Sequence, residues 1–148
     1  MPACASGRPY SWGNNTVFYH SPEQLQEVAQ SLIDRMAQDP QSADSLSSSG
    51  MLIRINVREP NLVILLDGRH NPASVTFGLG SEKPDLEIGL KSDTLHKVWL
   101  GQLRVRDAYF GGKISTKGNV FSAMKLADIF REAERLYPVI LREKGYAV

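Results

Sequence analysis

The segment MLIRINVREPNLVILLD, residues 51–67, holds two different strand patterns and decides the fold class. Apolar and polar side chains alternate over residues 51–58, which is typical of a strand with one face in a core. Residues 62–67 begin with an unbroken apolar run, as in a strand covered on both faces. Alternating runs at 73–79 and 85–91 follow after short connections, and these favour antiparallel pairing because parallel neighbours need a long crossover. The pattern therefore predicts a mostly antiparallel sheet.

Amphipathic helices are predicted on both sides of these strands. Ser21 is a suitable N-cap, and from Pro22 to Gln38 apolar residues recur every three or four positions. A short helix is predicted after the fourth strand, then a fifth strand at 110–117 and a long helix from Val120, which Pro138 should kink or break. The fold class is α+β, with the order α-β-β-β-β-α-β-α. Residues 1–20 are predicted to be an irregular arm before a single domain at 21–148.

Composition and charge restrict the classes of partner. The 148 residues carry 17 Lys and Arg against 16 Asp and Glu, a formal net charge of +1, so nucleic acid is not an expected partner. No apolar run approaches the roughly 20 residues of a transmembrane helix. The single cysteine, Cys4, cannot form an internal disulfide, and a cytoplasmic location is therefore expected.

The sequence offers little that could carry catalysis. His20, His70 and His96 lie in unrelated segments without the spacing of a metal site. No nucleophile, base and orienting group occur at workable spacing, so we expect no catalytic residue, no metal and no cofactor. The cluster Asp67-Gly68-Arg69-His70 has two interpretations, a base with an anion clamp or the polar turn of a hairpin, and the turn is favoured.

Three segments of the second half resemble a known family. They are DLEIGLKSDTL (85–95), WLG (99–101) and AYFGGKISTKG (108–118), and they resemble the latter half of the sterol carrier protein type 2 domain. The similar order of elements covers about residues 21 to 143. The resemblance implies a five-stranded, largely antiparallel sheet with helices packed over one side, which encloses an apolar cavity for lipids. It carries over no catalytic residue.

The resemblance and an excess of large apolar side chains near the last strand together give a predicted ligand-binding set. Its members are Trp99, Leu100, Leu103, Phe110, Phe121, Met124 and Phe130. An ordinary packed core would use the same residue types.

The function that follows is non-catalytic binding or carriage of a fatty acyl, sterol-like or other apolar small molecule, with transient membrane contact. One alternative is a small enzyme of the isomerase or cyclase type that acts on a hydrophobic substrate, for which Asp107 and His96 are the nearest acid–base groups. Another is a non-catalytic subunit of a larger enzyme. The sequence leaves the oligomeric state open.

Overall fold

The computed structural model describes residues 18–40, 42, 50–70, 73–78, 80, 82–118 and 120–146, with only the backbone of 120–123. The elements, in chain order, are α1 (Pro22–Gln38), β1 (Leu52–Arg58), β2 (Leu62–Asp67), β3 (Ser74–Phe77), β4 (Leu86–Lys91), α2 (Ser92–Trp99), α3 (Val105–Phe110), β5 (Ile114–Gly118) and α4 (Val120–Glu143). The predicted α+β class and order are confirmed.

The fifth strand starts later than predicted. It begins at Ile114, and Phe110, which was placed at the start of this strand, is the last residue of the six-residue helix α3. Helix α3 falls in a segment that shows no period in the sequence. A helix this short has fewer than two turns, so it cannot display a repeating apolar stripe.

The five strands form one sheet in the order β3-β2-β1-β4-β5. Three neighbouring pairs are antiparallel and one, β1 with β4, is parallel. Strands β1 and β4 can lie parallel because β2 and β3 separate them in the chain, and the short connection joins β3 to β4, which are not neighbours in the sheet. Within this connection, Gly80 lies against the side chain of Leu65, and the Asp85 carboxylate accepts a hydrogen bond from the Leu52 N–H at 2.9 Å.

The helices cover one face of the sheet, as predicted. On this inner face the strands contribute buried Ile53, Ile55 and Ile88, while Arg54 and Glu87 pair on the opposite face at 3.2 Å. The apolar stripe of α1 is also buried. Its buried residues are Leu25, Val28, Ala29, Leu32, Ile33 and Met36.

Helix α4 continues through Pro138 to Glu143, so of the two predicted effects of this proline, a kink or a break, the break does not occur. The carbonyl that loses its donor belongs to Glu134, an exposed residue where water can replace the missing N–H. Buried Tyr137 and Ile140 anchor the helix on both sides of the proline. Near its end Glu143 receives two hydrogen bonds from Arg35 of α1, at 3.2 and 2.6 Å.

The packed part of the chain begins before α1. Tyr19 is 1% exposed and belongs to the core, although it lies in the predicted arm. Residues 1–17 of that arm are outside the described residues.

Candidate functional site

A groove of about 540 Å³ lies on the inner face of the sheet at its β4–β5 end. Its floor is formed by Leu86 and Ile88 of β4 and by Ile114, Thr116 and Gly118 of β5. These residues face the same way because Leu86 pairs with Gly118 and Ile88 pairs with Thr116 in the antiparallel register. Gly118 has φ +136°, and a Cβ at this position would lie 2.6 Å from the Asp85 carbonyl oxygen. Only glycine fits this corner of the floor.

The walls of the groove come from α3 and from the first turns of α4. Val105, Arg106, Tyr109 and Phe110 line it from α3. Met124, Leu126 and Ala127 line it from α4.

One side of the groove is open to solvent. Phe110 is 77% exposed, Met124 62% and Tyr109 48%, and these are the exposed large hydrophobic side chains of the described residues. They all lie on the groove's walls, so the exposed apolar surface is concentrated at its mouth.

The groove's described lining is apolar apart from the Arg106 cation and the hydroxyls of Thr116 and Tyr109. Among the described residues that line it, Arg106 is the only charged one, and none is an acid or a histidine. Proton transfer to or from a bound molecule would require such a group within hydrogen-bond reach. The lining therefore suits an apolar ligand and offers no acid–base machinery.

The structure divides the predicted ligand-binding residues between two places. Phe110 and Met124 line the groove. Trp99 and Phe130 lie in the core, 2% and 3% exposed, with ring centroids 6.1 Å apart, beside a void of only about 10 Å³. Such a void is about the size of one water molecule, so it cannot hold a lipid.

The other predicted residues do not line the groove where they are described. Leu100 and Leu103 are half-buried and pack against the core. The side chain of Phe121 lies outside the described residues, and the prediction for this residue stays a prediction.

The sequence-based prediction missed most of the groove's floor. The alternation over 85–91 puts Leu86 and Ile88 on the buried face of a strand, but nothing in the chain indicates that this part of the face borders a groove. The alternation of β4, combined with the pairing of β4 and β5, is the signal from which the floor could have been found.

Asp67 and Arg69, the other candidate cluster, form a turn. Their side chains pair at 2.8 Å, and Arg69 also pairs with Glu82 at 2.9 Å. Hydrogen bonds from Arg69 lower the pKa of the Asp67 carboxyl to about 2. The carboxylate is fully engaged, which favours the turn over a base in a cleft.

His96 and Asp107, the acid–base candidates, are not part of the groove. Nδ1 of His96 lies 2.7 Å from the hydroxyl of Tyr137, which is itself 2.5 Å from the hydroxyl of Tyr19. Phe18 stacks on the imidazole with a centroid distance of 3.9 Å. Burial raises the pKa of both tyrosines and lowers that of His96. Asp107 is exposed on α3.

Two absences among the described residues concern a metal site and a membrane-spanning helix. Within the described residues, no group of three or more His, Cys, Asp or Glu side chains is arranged to hold a metal ion. In the same part of the chain, no helix combines the length and apolarity needed to cross a membrane.

The sheet, its one layer of helices and the open apolar groove define a small α+β domain that binds apolar molecules. The chain belongs to the SCP-2 sterol transfer family, whose model matches residues 29–131. The function of the chain is accordingly the binding or transfer of a lipid or sterol-like molecule.

Solved structures share the fold. Sterol carrier protein 2 from Yarrowia lipolytica, in its apo form, aligns with a TM-score of 0.60 and 22% identity over 76% of this chain and 91% of its own. The sterol carrier protein domain 2 of Helicoverpa armigera gives 0.60 and 24%, over 74% and 87%. Palmitated SCP2L2 from Aedes aegypti gives 0.54 and 21%, over 72% and 93%. A search of curated proteins finds no match.

Proposed function

We propose that this chain carries a fatty acyl or sterol-like molecule in the groove between β4, β5, α3 and α4. The observation that carries the proposal is an apolar groove of about 540 Å³ whose described lining has one charged residue. This volume lies within the roughly 300–1,000 Å³ that is usual for small-molecule sites. The palmitated relative from Aedes aegypti supports a fatty acyl group as one occupant.

Apolar burial would supply most of the binding free energy. The floor presents Leu86, Ile88 and Ile114, all of which are buried in the fold and face the groove. Each methylene that moves from water into such surroundings contributes about 0.8 kcal/mol. A ligand with a long hydrocarbon chain therefore gains affinity over a small polar molecule.

We also propose that the mouth of the groove makes transient contact with a membrane surface when lipid is taken up or delivered. Tyr109, Phe110 and Met124 are exposed there, and aromatic side chains favour the membrane–water interface. Residues 106–125 contain four basic residues and one acidic residue, an excess of positive charge that an anionic bilayer would attract. The exchange would take place in the cytoplasm, the location expected from the single cysteine.

We propose that the chain is a carrier without catalytic activity. An isomerase or cyclase acting in this groove would need a titratable group there. Among the described lining residues, Arg106 alone carries a charge, and a guanidinium offers hydrogen-bond donors but no acceptor. The absence of an acid or histidine from this lining favours carriage over chemistry.

The test is to fill the groove with a larger side chain. Ala127→Trp should place an indole in the groove from a half-buried position of α4 and abolish binding of a fluorescent fatty acid and of a fluorescent sterol. Asp128→Trp adds the same side chain at the next, exposed position, which does not line the groove, and should retain binding. The ligand's own fluorescence is the readout, because Trp99 is buried away from the groove.

Two outcomes would overturn this assignment of the site. Unchanged binding in Ala127→Trp would place the ligand elsewhere in the fold. No binding of any lipid by the wild-type chain, together with no lipid retained in native mass spectrometry, would contradict carriage itself.

A further inference from the structure

Arg106 is a charged side chain in an otherwise apolar groove. It lies on α3 between Val105 and the exposed aromatic residues at the mouth, and it lines the groove while remaining exposed to solvent. Its guanidinium makes no ion pair within the part of the chain that the structure describes. Asp107 follows it in the helix, but adjacent helical residues do not face each other, and Asp107 does not line the groove.

Other arginines of the protein have carboxylate partners. Arg69 pairs with Asp67 and Glu82, and Arg135 pairs with Asp39 at 2.6 Å. Arg106 differs from these two because it lines a groove that can receive a ligand. A guanidinium presents five donors in a planar fork that matches the oxygens of a carboxylate or phosphate.

The groove is arranged like an amphipathic molecule, with an apolar floor and a charged residue on its wall. The apolar floor begins at β4 and β5, while the cation is at the solvent-exposed wall, where a charged head group would keep part of its hydration. The low-polarity surroundings strengthen a charge-assisted hydrogen bond relative to one in bulk water. Thr116, on the floor, adds a hydroxyl group to the described lining.

We infer that Arg106 binds the anionic head group of a single-chain lipid whose hydrocarbon tail lies along the β4–β5 floor. This inference rests on the proposed function and adds the ligand's chemical class, an acid lipid in preference to a neutral one. Two kinds of molecule have this chemistry, an anionic oxygen group on a long apolar chain. They are a fatty acid and a monoalkyl phosphate.

The experiment compares ligands that differ only at the head group. Palmitic acid, the alcohol of the same chain length and the corresponding monoalkyl phosphate are titrated by calorimetry into three proteins: wild type, Arg106→Gln and Arg104→Gln. Arg104 precedes α3, is exposed and does not line the groove, so its variant removes the same charge two residues away. Arg106→Lys is a fourth protein, which keeps the charge and loses the planar fork.

We expect wild type to bind the acid roughly tenfold to a hundredfold more tightly than the alcohol, the range expected for hydrogen bonds to a charged group. Arg106→Gln should remove this preference and bind the alcohol as wild type does, which also shows that the variant is folded. Arg104→Gln should keep the preference, and Arg106→Lys should keep part of it. Tighter binding of the phosphate than of the carboxylate would identify a phosphate head group as the better source.

Equal binding of acid and alcohol by wild type would overturn the inference and leave the proposed function intact. An equal loss of acid binding in Arg104→Gln and Arg106→Gln would also overturn it, because it would indicate a general effect of positive charge. Failure of all three ligands to bind would instead contradict the proposed function.

Discussion

Replacing Tyr137 by Phe should destabilise the fold more than replacing Tyr19 by Phe. The Tyr137 hydroxyl lies between two partners, the Tyr19 hydroxyl at 2.5 Å and Nδ1 of His96 at 2.7 Å. Tyr19 is 1% exposed, and its hydroxyl is hydrogen-bonded to that of Tyr137, so Tyr137→Phe leaves the Tyr19 hydroxyl buried without that bond. Tyr19→Phe instead leaves Tyr137 bonded to His96. The two substitutions remove the same atom type with different consequences.

The size of the difference follows from the energetics of buried polar groups. A hydrogen bond contributes about 0.5–1.5 kcal/mol net, and an unsatisfied buried polar group costs about 1–3 kcal/mol. Tyr19→Phe should therefore lower the free energy of unfolding by about 1 kcal/mol, and Tyr137→Phe by about 2–3 kcal/mol. In the double variant the orphaned Tyr19 hydroxyl is gone, so about 1 kcal/mol should be regained relative to Tyr137→Phe alone.

Urea unfolding measures these differences, provided that the free energy of unfolding falls with urea concentration at the same slope in all variants. Tyr109→Phe is the matched control, because Tyr109 is 48% exposed and should tolerate loss of its hydroxyl within about 0.5 kcal/mol. The reasoning would be refuted if both single variants cost the same. It would equally be refuted if the double variant cost the sum of the two.

Three other predictions concern ligand length, the groove wall and pH. Affinity for saturated fatty acids should rise about fourfold per added methylene until the groove is filled, as measured by calorimetry, and a flat series would contradict apolar burial. Met124→Ala should weaken fatty acid binding yet change the free energy of unfolding by less than about 0.5 kcal/mol, because Met124 is 62% exposed; a large loss of stability would assign it to the core. Burial lowers the pKa of His96 below its ordinary 6.5, so the unfolded chain binds its proton more readily, and stability should fall as pH drops through that value and level off below the folded pKa. His96→Gln should lack this component of the pH dependence, and an unchanged profile would exclude His96 as its source.

Elements encoded by neighbouring residues are predictable from the sequence. Helix α1 spans the residues that its apolar period indicates, and the Ser21 hydroxyl accepts a hydrogen bond from the Gln24 N–H at 3.1 Å, as an N-cap does. The first four strands lie within two residues of the predicted bounds, because alternation is a local property of the chain. The long final helix is also predictable from the sequence, because its apolar period continues past Pro138.

The groove depends on properties that are not local. Whether a large apolar residue reaches the core or the groove is decided by the place of its element in the fold. Trp99 lies where α1, α2 and α4 converge, and it is buried against Tyr137 at a centroid distance of 5.2 Å. Phe110 ends a helix that covers only part of the sheet, and it is exposed. From the sequence alone, Trp99 and Phe110 are equally good members of an apolar cluster, and their different burial cannot be predicted.

The uneven covering of the sheet explains why one fold can contain a firm core and a binding groove. At the β1–β2 end the helices leave a void of about 10 Å³, while at the β4–β5 end the six residues of α3 and the start of α4 leave about 540 Å³. Leu86 and Ile88 of β4 are among the apolar side chains that face this unfilled space. Under the proposed function, a bound hydrocarbon chain would lie in this space between β4, β5, α3 and α4. Because the described linings of the void and the groove share no residue, substitutions of exposed wall residues such as Phe110 and Met124 can change affinity while the core keeps the fold stable.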